Sequence, residues 1–202
     1  MKLYHANGTC SQSPHIVLRE AGLDFELVKV DLRTHKLADG RDYNAINPKG
    51  YVPALELDDG RVLTEGPAIV QYIADRNPDS GLAPKWGTFE RYQLLEWLNF
   101  VSTEIHKSFS PLFKPNTPEE WKNAWREKLA GRFDWLAREL TDRQYLMGAR
   151  FTAVDAYLFT VLGWAKPMGL DLARWPVLNA YVERIAARPK VREALEAQSK
   201  LK

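Results

Sequence analysis

Val52-Pro53-Ala54-Leu55-Glu56-Leu57, then Asp58-Asp59-Gly60, Arg61-Val62-Leu63 and Thr64-Glu65-Gly66-Pro67: this stretch decides how the first part of the chain folds. Side chains alternate in character from Val52 to Leu57, the two-residue period of a strand. Asp58-Asp59-Gly60 is a hairpin turn, and Arg61-Val62-Leu63 returns from it. Glu65-Gly66-Pro67 then opens a helix that carries Ile69, Val70, Tyr72 and Ile73. Upstream, Leu3-Tyr4 reads as a short opening strand. Gly8-Thr9-Cys10-Ser11-Gln12-Ser13-Pro14 turns into a helix, with Ser13 as N-cap and Pro14 at the first helical position. That helix carries Ile16, Val17, Leu18 and Ala21 and stops at Gly22. Phe25, Leu27, Val28 and Val30 make a second strand, and the polar residues 33–48 read as irregular, with room for one short helix. The order β-α-β, hairpin, α predicts a mixed sheet with helices.

Beyond residue 80 the texture changes from short apolar runs to long helical ones. Pro78, Gly81, Pro84 and Gly87 mark a break. The expected division is a first domain at 1–78, a linker at 79–87 and an all-helical domain at 88–202. Leu94, Leu98, Val101 and Ile105 form one helical stripe. Thr117-Pro118-Glu119-Glu120 starts a helix that continues through Trp121, Trp125, Leu129, Phe133, Leu136 and Leu140. Thr152-Ala153-Val154-Asp155 has the form of a capping box, with Asp in place of Glu or Gln. The helix after it, through Tyr157, Leu158, Val161, Leu162 and Trp164, is apolar nearly all round and belongs at a buried centre. Pro176 begins another helix and Pro189 precedes a last one. No internal repeat and no low-complexity segment is present.

Composition narrows the function. The 202 residues are 45% hydrophobic and 27% charged, a globular mixture, and the net charge of +2 gives no field suited to nucleic acid. One cysteine excludes an intrachain disulfide framework and fits a reducing compartment, so a cytoplasmic location is expected. No run approaches the ~20 apolar residues of a membrane span. His5, His15 and His35 are scattered, and no His/Cys/Asp spacing reads as a metal site. Neither a P-loop nor a dinucleotide-binding glycine pattern occurs.

Four places carry possible chemistry. Cys10 stands between a strand and a helix N-terminus, whose partial positive charge and unpaired N–H groups favour thiolate over thiol. As a lone cysteine it reads equally as a small buried apolar residue. A cis Val52-Pro53 bond would leave the backbone N–H and C=O of Val52 to a ligand; an ordinary trans proline at a strand start is the alternative. Glu65-Gly66 at a helix start suits an ammonium beside a carboxylate, or is a plain helix start. Asn99, Thr103 and His106 fall on one face of a continuous helix, either solvated or facing a cleft.

Together these pieces resemble a glutathione S-transferase, with a thioredoxin-like domain ahead of a helical one. The blocks Asn47-Pro48-Lys49-Gly50, Leu63-Thr64-Glu65-Gly66, Glu96-Trp97-Leu98-Asn99 and Thr103-Glu104-Ile105-His106-Lys107 resemble the bacterial beta class. The resemblance runs from end to end. It implies an α/β thioredoxin-like N-terminal domain that binds glutathione, an all-α C-terminal domain and a homodimer. It implies Cys10 and His106 near the glutathione sulfur and the Val52 backbone, before a cis Pro53, on the cysteinyl part. Glu65 and Gly66 would hold the γ-glutamyl end, and Asn99, Thr103, Glu104 and His106 would line the site. The class's lysine at position 35 is His35 here, followed by Lys36, at the glycyl carboxylate. Its tyrosine at position 5 is His5, and Gly66 stands where many transferases have serine. His5, Phe109, Phe113, Trp164 and Met168 are the candidates for an apolar electrophile pocket, or ordinary core.

The activity this implies is transfer of the glutathione thiol to a soft hydrophobic electrophile, in detoxification or dehalogenation, with glutathione as co-substrate and no metal. The second reading is thiol–disulfide exchange through a Cys10–glutathione mixed disulfide. A third is a non-enzymatic carrier of apolar ligands.

Overall fold

The computed structural model describes residues 1–200. Strands β1 (Lys2–His5), β2 (Glu26–Asp31), β3 (Lys36–Leu37), β4 (Ala54–Glu56) and β5 (Val62–Thr64) form one sheet in the order β3-β2-β1-β4-β5. β1 and β2 are parallel, while β1–β4, β4–β5 and β2–β3 are antiparallel. This is the mixed sheet expected from the chain order. β3 escaped the sequence reading because two residues are too few to show alternation. The short helix of 33–48 is a 3₁₀ turn at Tyr43–Ala45.

Helix α1 (Gln12–Glu20) joins the parallel strands. Its N-cap is Ser11, not Ser13, so the helix starts two residues earlier than expected. Pro14 still lies in the first turn, where its missing N–H costs nothing. The helix ends as expected at Gly22 (φ 64°), where the Gly22 and Leu23 N–H groups close on the Arg19 and Leu18 carbonyls. Helix α2 (Gly66–Arg76) follows β5 and buries Ile69, Val70, Ile73 and Ala74.

Strand alternation sorts the sheet's two faces. Tyr4 and Ala54 are paired and share one face with Val30, Leu37, Tyr43 and Val52 in a single buried cluster. Leu3 and Leu55, paired and wholly buried, take the opposite face, toward α1 and α2. His5, two residues after Leu3, shares that side.

The chain divides into two compact units, 1–83 with 188–202, and 84–187. This corrects the expected partition at its C-terminal end. Helix α8 (Pro189–Lys200) groups with the first unit because it packs along α1. Arg188 grips the Glu20 carboxylate with two hydrogen bonds of 2.7 and 2.8 Å, and Gln198 meets His15 at 3.3 Å.

The second unit holds α3 (Phe89–Phe100), a π-helical turn (Val101–His106), α4 (Lys107–Phe113), α5 (Glu119–Glu139), α6 (Ala153–Leu162) and α7 (Pro176–Ala186). All ten residues of α6 are buried, as its all-round apolar sequence requires. Its capping box is present: Asp155 accepts the Thr152 N–H at 2.8 Å and the Thr152 hydroxyl at 2.9 Å. The same carboxylate accepts the Leu146 N–H at 2.9 Å and the Tyr181 hydroxyl at 2.8 Å. Burial holds the Asp155 carboxyl above its ordinary range against these four donors. Along α5, Leu129, Phe133 and Leu136 are buried, but Trp121 is 65% exposed.

Candidate glutathione site

The first unit brings together residues far apart in sequence. The turn before α1 is tied by side chains: Thr9 Oγ1 donates to the Ala6 carbonyl at 2.7 Å, and the Ala6 N–H donates to Ser11 Oγ at 3.2 Å. This sets Cys10 immediately before the N-cap, with its carbonyl accepting the Ser13 N–H. Its half-buried Sγ lies 3.4 Å from the Val52 carbonyl oxygen, toward which the thiol donates. The Val52-Pro53 bond is cis. The two backbone features expected to handle a thiol peptide are therefore adjacent.

Two residues that sequence reasoning did not place in the site hold this corner. The Tyr43 hydroxyl and the Asn47 side-chain amide both donate to the Tyr51 carbonyl, each at 2.7 Å. Both are buried, and burial lifts the Tyr43 phenol to about 12. Neither has a spacing signal, because each acts through a loop backbone.

Glu65 is the N-cap of α2, held at φ 72°, with Gly66 as the first helical residue. Its carboxylate is exposed and is paired with Lys49 at 2.6 Å; the same ammonium reaches Thr64 Oγ1 at 3.0 Å. Lys49 is the second kind of miss: a cation sixteen residues away that occupies the carboxylate expected to take an ammonium. His35 also has positive φ (54°), and its ring lies against Gly50, where an added Cβ would sit 2.9 Å from His35 Cε1. His35 Nδ1 is buried without a hydrogen-bond partner. Lys36, next along β3, is exposed.

His5 is a correction. It is 0% exposed, and neither ring nitrogen has a partner. Alternation along β1 turns it to the helix-covered face, so it lines no open pocket. Burial, with Lys29 adding, lowers its pKa to about 4; His15 on α1 falls to about 3 for the same first reason, with Arg19 adding. The Arg19 Nε–H donates to His15 Nε2 at 2.8 Å.

In the second unit the expected polar face of Asn99, Thr103 and His106 is broken. A π-helical turn over Val101–His106 interrupts the α-helical winding between Asn99 and His106. Asn99 and Thr103 are exposed, and the Thr103 hydroxyl donates back to the Asn99 carbonyl at 3.0 Å. His106 is half-buried, with Nδ1 2.6 Å from the Tyr157 hydroxyl on α6. Glu104 is bound by Arg132 at 2.7 Å, with Lys128 at 3.9 Å.

The aromatic candidates gather around His106. Trp164 stands edge-on to His106 at 5.0 Å, to Phe109 at 5.7 Å and to Phe113 at 5.2 Å. Phe109 is fully buried against Phe133, so it is core behind this surface rather than its lining. Phe113 is 48% exposed, and Trp164 and Met168 are half-buried. The Met168 carbonyl accepts from Arg126 at 2.9 Å. A separate cavity of about 480 Å³ between α5 and α7, lined by Leu140, Gln144, Val177, Tyr181 and Arg184 among others, contains none of these residues. Among the described residues no cluster of His, Cys, Asp and Glu is placed to hold a metal ion, and no helix is long and apolar enough to cross a membrane.

A β-α-β-β-α unit with a cysteine before its first helix and a cis proline opposite it is thioredoxin-like. An all-helical unit follows it in the chain. Family models for the N-terminal and C-terminal domains of glutathione S-transferase match residues 8–76 and 119–184. The chain is 50% identical to glutathione S-transferase GstA of Escherichia coli O157:H7 over 98% of both chains. A sphingomonad glutathione S-transferase solved in complex with glutathione superposes with a TM-score of 0.96, at 49% identity, over 99% of this chain and 100% of that one. The bacterial beta-class enzyme of Sphingomonas chungbukensis gives 0.95 at 48% identity over 98% of each. The chain belongs to the glutathione S-transferase family, in its bacterial beta class, and is a glutathione transferase.

Proposed function

We propose that this enzyme conjugates the glutathione thiol to soft, hydrophobic electrophiles in a detoxifying or dehalogenating role. The observation that carries this reading is the adjacency of Cys10 Sγ and the Val52 carbonyl, 3.4 Å apart. Peptide recognition by a backbone N–H and C=O suits the cysteinyl residue of glutathione, and the incoming peptide N–H competes with the Cys10 thiol for that carbonyl. In this reading Glu65 takes the γ-glutamyl ammonium and displaces Lys49, which is released to the γ-glutamyl carboxylate beside the Gly66 N–H. His35 Nδ1, buried and unpartnered, and Lys36 serve the glycyl carboxylate. Asn99, Thr103, Glu104 and His106 act toward the tripeptide as the class resemblance implies, with Glu104 already anchored by Arg132. Phe113, Trp164 and Met168 offer the electrophile an apolar surface.

The chemistry needs no further cofactor. A helix N-terminus and a hydrogen-bond donor stabilise the bound thiolate, and holding it beside the electrophile supplies proximity. The exposed aromatic side chains Tyr51 and Phe89, each 73% accessible, support a homodimer that covers them. The single cysteine supports a cytoplasmic setting.

The competing reading is disulfide reduction through a Cys10–glutathione mixed disulfide, favoured by the position of Cys10 at the helix start. Glutathione-dependent conjugation of an aryl halide and glutathione-dependent reduction of a small disulfide, each with wild type and Cys10→Ala, decide between them. Conjugation that survives Cys10→Ala supports transfer. Disulfide reduction abolished by Cys10→Ala, with no conjugation by either form, supports exchange.

A further inference from the structure

We propose that Tyr157 is a positioning residue for His106, and that its phenol fixes the imidazole proton on Nε2, making that nitrogen a hydrogen-bond donor rather than a base. The contact is between the Tyr157 hydroxyl and His106 Nδ1 at 2.6 Å. That separation is shorter than N–H···O bonds ordinarily reach and lies in the range of hydroxyl donors. The chemistry agrees: a phenol O–H is a ready donor, and a neutral imidazole nitrogen accepts far better than a phenol oxygen does. With Nδ1 accepting, a neutral His106 carries its proton on Nε2.

The framework holds this pair rigidly. Tyr157 is 2% exposed on the fully buried α6, two residues after Asp155, whose carboxylate ties the start of α6 to Leu146 and Tyr181. His106 closes the π-helical turn, and its ring is fixed between Tyr157 at 5.8 Å and Trp164 at 5.0 Å, both edge-on. π-helical turns are frequent at functional sites, and this one ends on the residue that meets the Tyr157 hydroxyl. The consequence for transfer is specific. An Nε2–H donor stabilises a sulfur anion without removing its proton, so the thiol proton passes to solvent water and His106 is no general base. This consequence rests on the reading that His106 serves the glutathione sulfur.

The test is Tyr157→Phe, which removes one oxygen and keeps the ring. In protein labelled with ¹⁵N-histidine, wild-type His106 at neutral pH is expected to show a protonated Nε2 and an unprotonated Nδ1, and the variant a mixture of tautomers. In the aryl halide assay kcat falls about tenfold, the effect of one hydrogen bond acting on the reacting group, while KM for glutathione is unchanged. His106→Gln, which keeps a donor, retains more activity than His106→Glu, which supplies a base. A wild-type Nδ1–H tautomer, or an unaltered spectrum in Tyr157→Phe, overturns the proposal. Full activity in His106→Ala overturns the reading of His106 as serving the sulfur, and the catalytic consequence with it. The spectrum decides the tautomer independently of turnover.

Discussion

Removing the Asp155 carboxylate is predicted to unfold the second unit well below the wild-type temperature. In Asp155→Ala four buried donors lose their acceptor: the Leu146 and Thr152 N–H groups and the Tyr181 and Thr152 hydroxyls, all bonded at 2.8–2.9 Å. An unsatisfied buried donor costs about 1–3 kcal/mol. The hydroxyls relax by rotation, and the carboxylate's own burial, which raises its pKa, is relieved. Taking the low end for each donor gives about 4 kcal/mol. For a chain of this length that lowers the midpoint by about 8–16 °C. Asp155→Asn keeps the Leu146 and Tyr181 contacts but sets an NH₂ against the Thr152 N–H, so about half the loss is expected, and Thr152→Ala costs about 1 kcal/mol. The assay is selective, because all seven tryptophans, from Trp86 to Trp175, lie in the second unit. Thermal unfolding followed by tryptophan fluorescence reports that unit directly. A midpoint within 3 °C of wild type for Asp155→Ala would refute the reasoning.

Acid is predicted to loosen the first unit before the second. His5 and His15 are buried neutral, with pKa values of about 4 and 3, so from about pH 6.5 downward the unfolded chain binds more protons than the folded one. Stability therefore falls with falling pH, by about 2 kcal/mol from each histidine at pH 5. Circular dichroism at 222 nm should show a transition in acid that precedes the tryptophan transition, and coincident transitions would contradict it. Lys49→Ala is predicted to change stability by less than about 1 kcal/mol, since its bond to Glu65 is exposed. Because Lys49, once released from Glu65, holds the peptide's carboxylate, KM for glutathione is predicted to rise about twofold to threefold; a fall would show that Lys49 only competes for Glu65.

The parts of the molecule governed by local periodicity were legible in the sequence. The Asp58-Asp59-Gly60 turn, the stop at Gly22 and the box at Thr152–Asp155 act within a few residues and stand where expected, while the strand read over Val52–Leu57 is shorter, at Ala54–Glu56, because Pro53 cannot donate to the ladder. The cis Val52-Pro53 bond was legible only together with its neighbours, as one of four weak signals. What escaped depends on tertiary packing. The π-helical turn has no local pattern, since Val101 and Ile105 are buried in either winding. His5 was assigned to a pocket although β-strand alternation puts it beside Leu3, under the helices. Phe109 and Phe113, four residues apart on α4, differ in burial because Phe133 covers only the first. Lys49, Tyr43 and Asn47 join the site through loops whose paths spacing cannot give.

The measurement that tests the central claim most directly is the dependence of aryl halide conjugation on glutathione concentration, in wild type and Glu65→Gln. Glutathione held by the start of α2 and the Val52 backbone predicts saturable, glutathione-dependent turnover. Loss of the Glu65 charge should raise KM for glutathione at least tenfold, about 1.4 kcal/mol, and leave kcat within about twofold. An unchanged KM in Glu65→Gln would contradict this placement of the peptide, and an absence of glutathione-dependent turnover in wild type would contradict the proposed reaction.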